Sequence, residues 1–177
     1  IGPAGQYGIG WSLIFLGDVA LNQGDPERAE ASYSESVSVL RALGEKSFLA
    51  YSLRRLGILA LHRDDSARAA ALCQESLALN VELEERSGIV LCLMASAAIL
   101  AAQGEIRRAA QLFGAVETLF DTLAISCPTI DRIEYERNRD ALRAQLDEAA
   151  WAEAHTIGRT LTLEQAIAYA QEKGSWN

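Results

Sequence analysis

The stretch L-G-D-V-A-L-N-Q-G-D-P-E-R-A-E-A-S-Y, from Leu16 to Tyr33, decides the fold because its pattern occurs three times. Gly17 recurs 40 residues later as Gly57, and after another 40 residues as Ala97. The turn and the aromatic or sulfur-containing position that follow recur with the same spacing. Self-similarity at a fixed period of about 20–50 residues is the signature of a stacked repeat array.

Each repeat unit contains the start and stop signals of two helices. In the first unit Gly24 is placed to end one helix, Asp25 to cap the next, and Pro26 to occupy its first position. Gly17 and Ala29 are small enough to let two antiparallel helices cross closely. Apolar residues at helical spacing predict six helices, at about residues 9–22, 26–43, 46–62, 66–84, 86–103 and 106–124.

The period fails after Ala124, where a Ser-Cys-Pro-Thr segment breaks the pattern. We expect three further helices, from residue 129 to 146, from 147 to 157 with Gly158 as the stop, and from the capping box of Thr162 and Gln165 to about 171. The predicted organisation is a linker or frayed end at 1–8, three repeats at 9–44, 45–84 and 85–124, capping helices at 125–172, and a tail at 173–177.

Leucine-glycine at the crossing, alanine twelve residues after the glycine and an aromatic residue four later resemble the tetratricopeptide repeat. The first copy has Leu16, Gly17, Ala29 and Tyr33. The resemblance implies an all-α, right-handed α-solenoid of about three 40-residue helical hairpins with a C-terminal helical cap. Because the usual repeat of the family is about 34 residues, its groove shape does not carry over directly.

The 40-residue repeat is similar to those of large bacterial signal-transduction ATPases and transcription regulators of the maltose-regulon-activator, LuxR and SARP types. The segments 109–115, 134–137, 151–154 and 158–166 resemble their C-terminal end. The resemblance implies a non-catalytic sensor or scaffold module of a larger regulator, with ATPase and DNA-binding domains elsewhere in the polypeptide. The alternative is a self-association element that pairs protomers through an exposed face of Trp11 or Leu13, making a homo-oligomer.

Composition narrows the function classes. The formal net charge of −8 opposes direct nucleic-acid binding. The uncharged run at 87–104 is shorter than the roughly 20 apolar residues of a membrane span. Three cysteines without metal-type spacing indicate a reducing, cytoplasmic setting. We expect no enzyme activity, cofactor or metal, because no phosphate-binding loop, histidine cluster or catalytic set is recognisable.

The register of the tetratricopeptide family places residues of each first helix on a concave groove. This groove would bind a peptide segment, or a small inducer with an apolar body and an anionic group near Arg54. The C-terminal helices would either cover the third unit's part of the groove or leave it open. The predicted groove residues are Trp11, Ile14, Asp18, Asn22, Tyr51, Arg54, Ile58, His62 and Met94.

Overall fold

The computed structural model describes residues 2–172, which form nine α-helices and no strand. The predicted all-α solenoid class is confirmed. The chain divides into two compact units between Glu85 and Arg86. The predicted tail at 173–177 lies outside the described residues.

Unit 1 contains α1 (Pro3–Asn22), α2 (Pro26–Leu43), α3 (Lys46–Leu61) and α4 (Ser66–Glu82). Unit 2 contains α5 (Arg86–Ala102), α6 (Ile106–Thr122), α7 (Thr129–Arg143), α8 (Glu148–Arg159) and α9 (Leu163–Gln171).

Unit 1 consists of two helical hairpins, and the predicted close crossings are present in both. A Cβ atom added to Gly17 would lie 2.6 Å from the ring of Tyr33, and one added to Gly57 would lie 2.5 Å from the Sγ of Cys73. Such separations are shorter than van der Waals contact, so a larger residue at either glycine would require the Tyr33 or Cys73 side chain to move. Tyr33, Leu40 and Leu53 are completely buried in the core that the hairpins share.

Equivalent turns in the three repeats adopt the same backbone conformation. The turn inside each hairpin has a positive φ, at Gly24 (73°), Asp64 (59°) and Gly104 (83°). The residues 20 positions further along also have positive φ, at Gly44 (68°), Glu84 (54°) and Ala124 (52°). The repeat therefore persists in the backbone where the glycine itself has been replaced. The predicted cap at Asp25 is confirmed, since its carboxylate accepts a backbone N–H bond at 3.0 Å, and Asp65 caps α4 in the same way at 3.0 Å.

The first helix begins earlier than the sequence suggested. Residues 1–8 were expected to form a linker because they contain three glycines, but α1 starts at Pro3. Proline suits the first position of a helix because its missing N–H would have no partner there. The glycines that follow are tolerated within the helix.

Unit 2 joins the third hairpin to the C-terminal helices. Helix α8 makes a more extensive contact with α6 than α5 does, and α7 and α9 both contact α5. The expectation that Gly158 ends a helix is wrong, since α8 continues to Arg159. An added Cβ at Gly158 would lie 1.8 Å from the backbone oxygen of Gln111. This glycine permits a backbone crossing.

The last helix is held by its N-terminal cap and by one arginine. The predicted capping box is confirmed. The Thr162 hydroxyl oxygen accepts a bond from the backbone N–H of Gln165, and the Gln165 side-chain oxygen accepts one from the backbone N–H of Thr162. Arg108 of α6 donates to the backbone oxygens of Tyr169 at 2.9 Å and Glu172 at 3.0 Å. These bonds satisfy carbonyl groups that the end of α9 would otherwise expose.

Candidate functional site

The predicted groove positions of unit 1 lie on α1 and α3, and we call them the first-helix surface. Trp11 and Asn22 of α1 and His62 after α3 are exposed, and Asp18, Tyr51 and Ile58 are partly exposed. Asp18 and Ile58 occupy equivalent repeat positions, as do Asn22 and His62. The first-helix surface therefore presents two equivalent rows of side chains, one from each hairpin.

Aromatic side chains form one end of this surface. The rings of Trp11 and Phe15 meet edge to face with centroids 4.3 Å apart. The ring centroid of Phe48, at the start of α3, lies 6.4 Å from that of Trp11 and 5.9 Å from that of Tyr7. Tyr7, Trp11 and Phe15 are each 44–49% exposed, although side chains of this size are usually buried on most of their area. We call these four residues the aromatic cluster.

A polar network joins the helices behind the aromatic cluster. Asp18 of α1 accepts hydrogen bonds from the hydroxyl of Tyr33 at 2.5 Å and from that of Tyr51 at 2.9 Å. The Nε of Arg55 donates to the Tyr51 hydroxyl at 3.1 Å and lies 3.5 Å from the Asp18 carboxylate. Because these four residues come from α1, α2 and α3, the network fixes the relative positions of the helices that form the surface.

The two tyrosines of the network keep their protons to unusually high pH. Burial, and then the hydrogen bond to Asp18, raises the pKa of Tyr33 well above its ordinary value of 10.0. Burial also raises the pKa of Tyr51, although the nearby Arg55 opposes that shift. The hydroxyls therefore remain hydrogen-bond donors to Asp18 throughout the neutral range.

These raised pKa values predict a loss of stability in alkaline solution. Above pH 10 the unfolded chain releases a tyrosine proton that the folded chain retains. The stabilisation is therefore complete below pH 10 and is lost as the pH rises towards the folded-state pKa. A tyrosine whose folded-state pKa lies far above 10 adds a limiting slope of about −1.4 kcal/mol per pH unit to the free energy of unfolding. Denaturant unfolding between pH 8 and 11.5 measures this slope. Tyr33→Phe should make the slope less negative, because unfolding then releases one proton fewer. An equal slope in that variant would contradict the shift.

Three predicted groove residues do not line an exposed surface. Ile14 and Arg54 in unit 1 are 6% and 2% exposed, and Met94 in unit 2 is 3% exposed. The Arg54 guanidinium lies over the Tyr51 ring, 5.5 Å from its centroid. Arg54 thus offers no exposed charge for an anionic ligand, in contrast to the expectation from sequence. Met94 belongs to α5, of whose 17 residues 11 are buried.

Sequence reasoning missed four residues that contribute to the surface or its support, namely Tyr7, Phe15, Phe48 and Arg55. The sequence predicts a loop or frayed end at Tyr7, but this residue lies one helical turn before Trp11 in α1. Phe15 follows Trp11 by the next turn, so an aromatic residue at every fourth position was a usable signal. Arg55 has no such signal, because only the fold shows that it approaches Asp18.

No helix in the described part of the chain is long and apolar enough to cross a membrane. Within residues 2–172, no three side chains of histidine, cysteine, aspartate or glutamate are grouped closely enough to hold a metal ion.

The segment that forms the first two hairpins is similar to a known repeat family. Residues 8–80 match the family model described as tetratricopeptide repeat. This match and the paired helices together support a tetratricopeptide-repeat domain. Such domains generally mediate contacts between proteins and are typically non-catalytic. No curated protein and no solved structure matches the chain significantly.

Proposed function

We propose that unit 1 is a protein-binding module that takes an apolar peptide segment on its first-helix surface. The observation that carries this proposal is the exposed aromatic cluster. Rings of tyrosine, tryptophan and phenylalanine supply large contact areas at low cost in side-chain entropy, and they are enriched where binding energy concentrates. The match to tetratricopeptide repeats supports the same class of function.

The charges of the surface favour an apolar partner over an anionic one. Asp18 and Arg55 lie close enough to pair with each other, and Asp18 also accepts bonds from two tyrosines. Because these charges have partners within unit 1, the rings supply most of the available contact. Tyr7, Trp11 and Phe15 are each about half exposed, whereas a small inducer requires a concave site that covers most of its own area. A peptide segment suits this surface better.

Trp11→Ala should weaken peptide binding by about thirtyfold, since truncation of a central aromatic anchor typically costs about 2 kcal/mol. Peptides would be selected from a random display library on the parent chain, and their affinities measured by fluorescence anisotropy. Ile133→Ala is the matched control, because Ile133 is an exposed apolar residue of unit 2. It should leave the affinity unchanged. Selected peptides that bind Trp11→Ala as tightly as the parent would overturn the proposed site.

The module's wider role follows from the resemblance of the repeats and C-terminal segments to bacterial regulators. In this proposal the chain is the non-catalytic sensor or scaffold part of a cytoplasmic transcription regulator. Occupation of the first-helix surface shifts a conformational equilibrium that ATPase and DNA-binding domains share. The full-length gene tests this role, because the absence of both domains from its product would contradict it.

A further inference from the structure

A pocket lies at the turn between the two hairpins of unit 1. Its volume is about 470 Å³, within the ~300–1,000 Å³ that is typical of binding sites. We call it the turn pocket, and its walls are Tyr7 of α1, the α2–α3 turn at residues 43–47, and Leu83 at the end of α4. Residues 44, 46 and 47 are exposed. The turn pocket is therefore open on one side and suits a single side chain of a bound peptide.

The repeat shows that this corner of the hairpin stays open next to a neighbouring hairpin. Tyr7 of α1 and Ser47 of α3 are equivalent, since they lie 40 positions apart. Helix α3 has a complete hairpin before it, yet Ser47 is exposed. The opening beside Tyr7 is thus a property of the repeat and does not depend on what precedes α1.

The turn pocket adjoins the aromatic cluster. Tyr7 belongs to both, and Phe48 of the cluster directly follows Ser47 of the pocket wall. The rings of Tyr7 and Phe48 meet edge to face with their centroids 5.9 Å apart. A peptide whose apolar segment contacts the aromatic cluster can therefore place a flanking side chain in the turn pocket.

The walls of the turn pocket match a long side chain with a polar end. Leu43 and Leu83 supply aliphatic surface, and Tyr7 supplies an aromatic ring. Lysine and arginine bind aliphatic surfaces through their methylene groups, and their cationic heads are attracted to the faces of aromatic rings. A basic residue can therefore use both kinds of wall.

The charges of the turn pocket favour a cation over an anion. Lys46 forms an ion pair with Glu82, so its positive charge already has a partner. Glu45 caps α3, and its Oε2 accepts the backbone N–H of Phe48 at 2.8 Å. The protein's own carboxylate thus occupies the place where a helix N-terminus would hold an external anion. A carboxylate has further lone pairs, so Glu45 can also accept a bond from a cationic group.

We propose that the turn pocket binds a lysine or arginine that flanks the apolar segment of the peptide, an inference that rests on the proposed peptide site. The aliphatic stem of this residue packs against Leu43 and Leu83. Its charged head lies beside the Tyr7 ring and donates to Glu45. Unit 1 contains 12 acidic and 7 basic residues, and this net charge of −5 also attracts a basic segment.

Peptides selected on the parent chain from the display library should carry lysine or arginine beside their apolar segment. A neutral analogue, with norleucine for lysine or citrulline for arginine, should bind about tenfold more weakly in fluorescence anisotropy. Glu45→Gln should weaken the charged peptide by about tenfold and leave the affinity of the neutral analogue unchanged. The glutamine oxygen can still accept the N–H of Phe48, so α3 keeps its cap.

Glu35→Gln is the matched control, because Glu35 is an exposed carboxylate of α2 outside the turn pocket. It changes the net charge by the same amount and should leave both affinities unchanged. Leu83→Lys is a second variant, at a wall residue that is 41% exposed and so tolerates a charge. Its ammonium group should repel the basic residue and weaken the charged peptide by about tenfold.

Equal affinity of the parent and Glu45→Gln for the charged peptide would overturn this proposal. Selected peptides that lack a basic residue, or that carry an acidic one in its place, would overturn it as well. If such peptides still lose affinity for Trp11→Ala, the peptide site stands and only the turn pocket is wrongly assigned. A library that yields no binder would overturn both proposals.

Discussion

Gly158→Ala is expected to lower the free energy of unfolding of unit 2 by about 3 kcal/mol or more, the upper range for overpacked contacts. The added methyl group would lie 1.8 Å from the backbone oxygen of Gln111. A reciprocal contact exists at Gly114 of α6, where a Cβ would lie 2.2 Å from the backbone oxygen of His155. Since backbone atoms cannot rotate away as a side chain can, α6 and α8 would have to separate.

Separation of these helices would also loosen their side-chain contacts. Trp151 and Ala154 of α8 are buried, and the Nε2 of His155 lies 3.0 Å from the Glu117 carboxylate of α6. Denaturant unfolding and amide hydrogen exchange measure the effect, and exchange should be fastest in α8. Gly8→Ala is the matched control, because no heavy atom lies within 4 Å of its added Cβ. That change should be neutral or slightly stabilising. Unaltered stability of Gly158→Ala would show that the crossing is looser than described.

The contrast between Gly17 and Gly158 shows which parts of the fold the sequence could predict. The close crossing at Gly17 was predictable because the residue recurs as Gly57 in the same repeat position. Gly158 has no counterpart 40 residues away in an equivalent hairpin. A glycine near a predicted helix end is usually interpreted as the residue that ends the helix. Its crossing partner, Gln111, is distant in the sequence and lies in another element. Only the tertiary structure distinguishes these two roles of glycine.

The arginines at 54 and 55 show a similar limit at the binding surface. Neighbouring residues on a helix point about 100° apart, so an error of one position changes which side chains a residue contacts. The family register placed Arg54 in the groove, but its side chain is buried. Arg55 instead lies 3.5 Å from Asp18, a residue of the preceding hairpin. No local pattern in the sequence indicates this pairing, whereas the turn glycines and helix caps follow from local chemistry.

Asp18→Asn should lower the free energy of unfolding of unit 1 by about 2 kcal/mol. Breaking a buried ion pair typically costs about 3–5 kcal/mol, and the partial exposure of Asp18 reduces that cost. The Arg55 side chain is only 5% exposed and would lose its carboxylate partner. The asparagine amide would also have to replace an oxygen that accepts a bond from a tyrosine. Tyr33→Phe removes one hydroxyl and should cost about 1 kcal/mol.

Denaturant unfolding at pH 7 measures these effects, with Glu75→Gln as the matched exchange of carboxylate for amide. Glu75 pairs with Arg41 at 2.6 Å, but both side chains are about half exposed. Exposed pairs of this kind contribute at most about 1 kcal/mol. Because the Asp18 network positions α1 against α3, Asp18→Asn should also weaken peptide binding on the first-helix surface, and Glu75→Gln should not. Equal effects of the two substitutions would mean that the network neither stabilises unit 1 nor organises that surface.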